Sequence, residues 1–180
     1  MSEKPLLLLH VCCAPCSPHI INLLRESYSV TAFFYNPNIH PLEEYTLREN
    51  EIRSFSEKES FPLIIGEYDD AAWFEAVRGF EEEPEGSNRC DICFRIRMER
   101  AARAAAENGA QYFATTLTVS PHKNAAKIFA AGRAAAAQFD GVEFLEMDFK
   151  KKDGYRISSE LSREHGFYRQ NYCGCSFSRR

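Results

Sequence analysis

Short apolar runs alternate with amphipathic stretches along the whole chain. Leu6–Leu9 is a continuous apolar run, and Leu6–Val11 is strand-like and feeds a turn of cysteine and proline. Pro18 to Ser27 carries Ile20, Ile21, Leu23 and Leu24 at helical spacing, with Ser17 as the N-cap and Pro18 as the first helical residue. Val30–Tyr35 is β-branched and aromatic and predicts a second strand. Asn36-Pro37-Asn38-Ile39-His40-Pro41 is a turn-rich loop. A charged helix is predicted over Leu42–Ser60, then a third strand over Phe61–Ile65. The next helix is capped by Asp69 or Asp70 and stopped after Arg78 by Gly79. Glu81–Asn88, acidic and broken by Pro84 and Gly86, predicts an exposed loop. An Arg- and Ala-rich helix follows from Cys90 to near Gly109, and a fourth strand covers Tyr112–Leu117. Beyond the loop Thr118–His122 come an Ala-rich helix over Asn124–Gln138 and a fifth strand over Val142–Met147. A basic loop, Asp148–Gly154, precedes a last helix over Ser158–His165, started by Ser158 or Ser159 and ended by Gly166.

This order predicts an α/β fold, a parallel sheet with flanking helices. The expectation is a single domain over residues 1–180, with a basic, cysteine-containing tail from about residue 150. Ligands in such sheets bind beyond the C-terminal strand edges, at the switch point. The cysteine turn, the Asn36–Pro41 loop and the Thr118–His122 loop all follow strands and are placed there.

Charge and cysteine usage sharpen the picture. The net charge of −4 hides an asymmetry: residues 150–180 carry eight Lys/Arg against three Asp/Glu, net +5, and the remainder is −9. A basic end on an acidic body is either a footprint for phosphate or a solvated surface. No apolar run is long enough to span a membrane, and Leu6–Leu9 is too brief for a signal segment, so a cytoplasmic location is expected. Seven cysteines in a helix-rich chain of 180 residues point to metal binding or redox chemistry rather than a disulfide scaffold.

Those cysteines fall in three segments. Cys90-Asp91-Ile92-Cys93 opens a helix, where the dipole favours thiolate, but one such pair is ambiguous between redox dithiol, zinc and iron–sulfur. Cys12-Cys13-Ala14-Pro15-Cys16 and Cys173-Gly174-Cys175 add five more thiols. A closed zinc site or a 4Fe–4S cluster takes about four ligands, which leaves a surplus for a second metal. Adjacent Cys12 and Cys13 are predicted to point apart and so to serve two centres. His10, before this turn, reads as a core or supporting histidine. His19 and His165 lie in helical stretches, and His40 and His122, in edge loops, are the better candidates for chemistry.

Tyr35 to Pro41, with Glu44, Tyr45 and Arg48, is dense in hydrogen-bonding groups, although turn chemistry alone accounts for much of it. Ser120-Pro121-His122-Lys123-Asn124 precedes a helix whose N-terminus suits a phosphate or a plain cap. Arg95, Arg97, Arg100 and Arg103 recur at helical spacing among acids and read mostly as a solvated face. Tyr168-Arg169-Gln170-Asn171-Tyr172 suits base stacking and phosphate contact, or packing of the tail. No glycine-rich nucleotide fingerprint or P-loop is present. The position of a pyrophosphatase loop is taken by cysteines, which argues against ATP activation.

Five motifs together resemble the QueH type of epoxyqueuosine reductase. They are Leu9-His10-Val11-Cys12-Cys13-Ala14-Pro15-Cys16, Tyr35–Pro41, Arg89-Cys90-x-x-Cys93, Thr115-Thr116-Leu117-x-x-Ser120-Pro121-x-Lys123-Asn124 and Tyr168-Arg169-Gln170-x-Tyr172-Cys173-Gly174-Cys175. The likeness runs nearly end to end. It implies a fold similar to the adenine-nucleotide α-hydrolase (HUP-like) group. It also implies a cobalamin-independent enzyme that removes the epoxide oxygen of epoxyqueuosine at the tRNA wobble position. The implied cofactors are a 4Fe–4S cluster and an additional mononuclear iron, fed by an external electron donor. Cys12, Cys13, Cys90, Cys93, Cys173 and Cys175 are the implied ligands. Cys16 stands where some members of the family carry an acid; it joins the metal set as a thiol, with Asp91 or a water as alternatives. His40 or Tyr172 is implied as proton source. Tyr35, Asn36, Asn38, Ser120, Lys123, Arg156, Arg169 and Gln170 are expected to meet the anticodon stem-loop. The competing readings are a zinc-containing tRNA-binding or thiolation-type protein, a thiol–disulfide oxidoreductase using Cys90 and Cys93, and a nucleotide-binding module.

Overall fold

Strand β1 (Leu6–Val11) is the middle strand of a five-stranded sheet in the computed structural model, which describes residues 3–179. Arg180, counted above in the basic tail, lies outside the described residues. β1 is flanked by β2 (Ser29–Phe34) and β4 (Tyr112–Thr115), and β3 (Leu63–Ile65) and β5 (Glu143–Phe144) close the edges in the order β3-β2-β1-β4-β5. All four pairings are parallel, as the alternation of elements predicts.

β1 is buried from Leu7 to Val11, which is why it reads as apolar apart from His10. Side chains alternate across a strand, so its residues feed two cores. Leu7, Leu9 and Val11 pack with Ile20, Ile21 and Leu24 of helix α1 (Pro18–Arg25) and Ile52 and Phe55 of α2 (Leu42–Glu59). After α3 (Asp70–Ala76), α4 (Asn88–Glu107) and α5 (Ala125–Ala136) cover the other face. There Leu8 meets Phe94, Met98 and Ile128. Burying each side chain of this size contributes about 1.5–3 kcal/mol. α5 lies flush on β5: a Cβ on Gly132 would stand 2.4 Å from the Phe144 ring.

The boundaries depart from the sequence pattern in informative places. β4 stops at Thr115, whose hydroxyl accepts the Leu117 N–H at 3.2 Å and tightens Thr116–Val119 into a 3-10 turn. β5 is two residues long rather than six, because beyond Leu145 the chain folds back on itself through Met147 N–H to Leu145 O. α6 (Gly154–Glu164) starts four residues ahead of Ser158. Gly154 makes this possible: any Cβ there would strike the Phe149 carbonyl, at 1.8 Å. Ser158 and Ser159 therefore lie within α6 instead of starting it, and Ser158, with Ser162 one turn on, is buried. Ser17 does not cap α1 with its side chain; its hydroxyl turns back to Cys13 O at 2.8 Å. Among the described residues, no helix is long and apolar enough to cross a membrane.

The chain runs from β1 outward through β2 and β3, then crosses to β4 on the other side. The switch point lies between β1 and β4, and the turns that follow these two strands are joined there by Cys12 N–H to Thr116 Oγ1 at 3.2 Å.

Candidate active site

The turn after β1 gathers its three thiols. Cys13 Sγ lies 3.6 Å from Cys12 Sγ and 3.3 Å from Cys16 Sγ. The expectation that Cys12 and Cys13 point apart fails. Cys13 is extended, but the 3-10 turn Ala14–Cys16 curls the chain back, held by the Ser17 hydroxyl on Cys13 O. Two ligands on one ion lie within about 4.6 Å, twice a metal–sulfur bond of roughly 2.3 Å. Among the described residues, this is the group of three potential ligands whose donor atoms all lie within 4.8 Å of one another. Thr116 Oγ1 donates to Cys12 Sγ at 3.5 Å and Gln170 Nε2 to Cys13 Sγ at 3.1 Å. The trio cannot ionise together. Hydrogen bonds from Cys13 and Cys16 hold Cys12 well below the usual thiol range, and Arg97 acts in the same direction. Cys13 is pushed up to about 12, chiefly by its bond to Cys12, and Cys16 is raised for the same reason. A cation is what displaces the remaining protons.

His10 braces this turn from beneath. Its Nε2 donates to Tyr35 O at 3.0 Å, since a carbonyl only accepts, and its Nδ1 then accepts from the Thr115 hydroxyl at 2.8 Å. Full burial, helped by Arg97, lowers its pKa to about 3. It is the supporting histidine the sequence suggests.

The other four thiols form a separate group. Cys90 and Cys93, one turn apart on α4, line one cavity together with Cys173 and Cys175 from the tail. Cys93 and Cys175 also pack with Trp73 and Val77. Cys173 is held down to about 4 by a hydrogen bond from Cys175, aided by Lys123 and by Ser178, whose hydroxyl lies 3.1 Å away; Cys175 is raised by the same bond. Burial raises Cys90. All seven cysteines are free thiols.

The tail reaches this cavity because three contacts pin it. Arg48, paired with Glu44, donates to Tyr172 O and Cys173 O, both at 3.3 Å. Tyr172 Oη donates to His40 O at 2.6 Å, and His40 N–H to Gly174 O at 2.8 Å. Gly174 has φ +108° and lies against Ile39, where a Cβ would come within 2.8 Å. The acidic loop is tied over Cys90 from the other side. Arg89 donates to the carbonyls of Phe80, Glu81 and Glu83, Lys127 to Gly86 O, and Gly86 N–H to Cys90 Sγ at 3.1 Å.

A cleft of about 880 Å³ opens beside both groups. Its walls include Cys12, Cys16 and Cys173, the basic side chains Arg48, Arg97, Lys123, Arg169 and Arg179, and the aromatics Tyr155, Tyr168 and Tyr172. Ser120 and Gln170 line it as well, so four of the residues expected to meet nucleic acid gather here. Asn38 lines the four-thiol cavity instead, with Oδ1 buried and unpartnered. Tyr35 stacks on Phe33, and Asn36 anchors the first turn by donating to Val11 O at 3.0 Å. Arg156 is exposed and paired with Glu160 and Asp153, away from these walls. His40 is buried against Trp73 and Phe74, both ring nitrogens without partners. Asp91 pairs with Lys127 at 2.9 Å and is not among the ligands gathered at the first turn. Arg97 departs from the solvated-face reading: it is buried. Its spacing of four residues from Cys93 is the signal that places it on the cysteine face.

The chain matches a family model described as "Epoxyqueuosine reductase QueH" over residues 7–180. The protein of that name from Acinetobacter baylyi is 43% identical over 175 residues, covering 97% of this chain and 80% of the relative. That from Haemophilus influenzae is 41% identical, covering 97% and 71%, and that from Thermotoga maritima 38% identical, covering 95% and 88%. Among solved structures, the U34-tRNA thiolase NcsA from Methanococcus maripaludis, with its 4Fe–4S cluster, superposes with a TM-score of 0.56 at 14% identity. It covers 97% of this chain, which spans 62% of it, and the likeness shows a shared fold. The expected parallel α/β architecture is thereby met. On the family match and these identities, the chain belongs to the epoxyqueuosine reductase QueH family.

Proposed function

We propose that this protein reduces epoxyqueuosine to queuosine at the wobble position of tRNA, removing the epoxide oxygen with two electrons and two protons. The observation that carries the reading is the convergence of seven unpaired thiols, in a group of three and a group of four, at the switch point of a QueH-family chain.

The donor sets fit the two metal groups the reading requires. Cys90, Cys93, Cys173 and Cys175 supply the four thiolates of a 4Fe–4S cluster. Cys12, Cys13 and Cys16 have the spacing of a single ion and would hold the additional iron. When bound, these groups supply one-electron transfer and Lewis-acid pull on the epoxide oxygen.

The protein's own residues do the rest. Thr116 and Gln170 fix the Cys12 and Cys13 sulfurs by hydrogen bonds and so set the ligand geometry. Lys123, Arg169 and Arg179 give the cleft a positive wall for the backbone of an anticodon stem-loop. Tyr155, Tyr168 and Tyr172 present rings on which a base drawn out of its stack can lie. Tyr172 is the proton source on this wall: burial raises its phenol, so the proton is held at neutral pH. Electrons come from an external donor, and the reaction belongs to the cytoplasm, where charged tRNA is used.

The test is anaerobic purification, iron and sulfide determination, and incubation with a reductant and tRNA carrying epoxyqueuosine. The expected result is a brown protein with more iron than sulfide and a tRNA nucleoside that has lost one oxygen atom. A colourless protein with stoichiometric zinc, refractory to reconstitution and inert on this tRNA, overturns the reading.

A further inference from the structure

Arg97 is a buried cation that pairs with no carboxylate among the described residues. It follows Cys93 by four residues and Cys90 by seven on α4, so the three side chains share one helix face. It is only 3% exposed. One terminal nitrogen donates to Asn36 Oδ1 at 2.6 Å, and Asn36 is itself fixed to Val11 O. Its Nε has no hydrogen-bond partner among the described residues. The neighbouring guanidinium of Arg48 pairs with Glu44, but among the described residues Arg97 has no such ion pair. A guanidinium does not shed its proton, and a buried charge without a counter-charge is strongly unfavourable.

Its surroundings indicate what the counter-charge is. Arg97 borders the four-thiol cavity on one side and, on the other, the cleft wall that carries Cys12. Four thiolates bring four negative charges to a cavity walled on its apolar side by Trp73 and Phe94; Arg89, Lys123 and Lys127 line it too, but Arg89 is spent on the carbonyls of the acidic loop and Lys127 on Asp91.

We infer that Arg97, held in place by Asn36, is a buried counter-ion of the metal–thiolate site: its fixed positive charge between the two thiol groups makes the bound centre easier to reduce. The inference rests on the reductase reading. Arg97 acts through the centre and is a positioning residue, not a catalytic one. A cation close to a redox centre in a low-dielectric site favours the electron-rich form, so its removal lowers the reduction potential.

The experiment compares the full-length wild type with Arg97→Lys, Arg97→Gln and Arg97→Met after anaerobic reconstitution. Midpoint potentials are read by dye-mediated redox titration, following the electron paramagnetic resonance of the reduced cluster. Gln and Met are expected to shift the reduced-to-oxidised ratio at fixed poise at least tenfold toward oxidised, about 59 mV for a one-electron couple. Lys, which keeps the charge, stays near wild type. If the two uncharged variants take up no cluster while Lys does, the same charge dependence appears in uptake and supports the inference. Loaded Gln or Met variants at the wild-type potential overturn it. So does a Lys variant that behaves like Met, or that fails to load with the other two, since shape rather than charge is then at work. A wild type that takes up no iron and sulfide overturns the reductase reading itself; a loaded wild type with unmoved variants overturns only the role of Arg97.

Discussion

The two thiol groups are built in opposite ways. Cys12, Cys13 and Cys16 belong to one five-residue stretch, and their convergence is local: a 3-10 turn, one serine hydroxyl and the end of a buried strand hold them. Cys90, Cys93, Cys173 and Cys175 come from a helix N-terminus and a tail some 80 residues later in the sequence. That group exists only where the tail is pinned by Arg48, Tyr172 and the His40 backbone. A site made by one turn survives losses elsewhere. A site made by two distant segments is as stable as the weakest contact that brings them together.

Cysteine substitutions should separate the groups most sharply. Cys13→Ser is expected to keep sulfide and the visible absorption of a cluster while losing the additional iron. Cys175→Ser is expected to lose sulfide and colour. Both should fall to background in the reduction of epoxyqueuosine-containing tRNA. Metal and sulfide analysis of the two proteins checks this. Loss of sulfide from both, to the same extent, would break the division into three and four.

Next in size is Arg48→Met. It removes a buried cation, leaves Glu44 unpaired and frees the carbonyls of Tyr172 and Cys173. Breaking one side of a buried pair costs about 3–5 kcal/mol. Chemical denaturation of the metal-free protein should show that loss, and reconstitution should show sulfide uptake falling ahead of iron binding at the first turn. Undiminished sulfide would mean that the tail is held by something other than Arg48.

This contrast also explains what the sequence disclosed. The order of elements, the parallel sheet and the position of the cysteine turn at the switch point follow from apolar run length and from Pro and Gly placement. The division of the thiols does not, because it depends on where residues 172–175 return. Proximity of Cys12 and Cys13 is not legible either: a one-residue spacing on an extended chain separates side chains, yet the two sulfurs lie 3.6 Å apart, and the curl at Pro15 adds Cys16 at 3.3 Å from Cys13. Arg97 shows the same limit. Its helical spacing among acids reads as a wet face, yet the loop Glu81–Asn88 and the tail cover that face. Similarly, nothing local announces that Ser158 and Ser162 are buried, since this depends on Gly154 starting α6 early.

Tyr172 adjoins Cys173 in the tail but lines the cleft and not the four-thiol cavity. Tyr172→Phe keeps the ring and removes the proton and the bond to His40 O. A positioned acid contributes on the order of 10² in rate at the low end, about 2.7 kcal/mol. Lost hydrogen bonding alone costs about 1 kcal/mol of stability. Single-turnover reduction on the loaded variant should therefore slow on the order of a hundredfold. An unchanged rate, with only the stability loss, would assign Tyr172 to the clamp alone.

The smallest expected effect concerns the locally built turn and its brace, His10. Its pKa is about 3 in the fold, against 6.5 for an unperturbed histidine. Between those values the unfolded chain binds a proton that the folded chain refuses. Stability therefore rises with pH across this window: the contribution is complete above 6.5 and is lost as pH falls toward 3. From pH 7 to pH 5 the loss amounts to about 2 kcal/mol. Urea unfolding of the metal-free protein at several pH values measures it, with His10→Gln as the reference. Gln cannot take the proton, so its curve should lie lower at pH 7 but fall less steeply toward pH 5. The carboxylates titrate equally in both proteins and cancel in the difference. Parallel curves would mean that His10 charges freely within the fold, and the bond from Nε2–H to Tyr35 O and the bond from Thr115 to Nδ1 would not be what fixes the end of β1 beneath the cysteines.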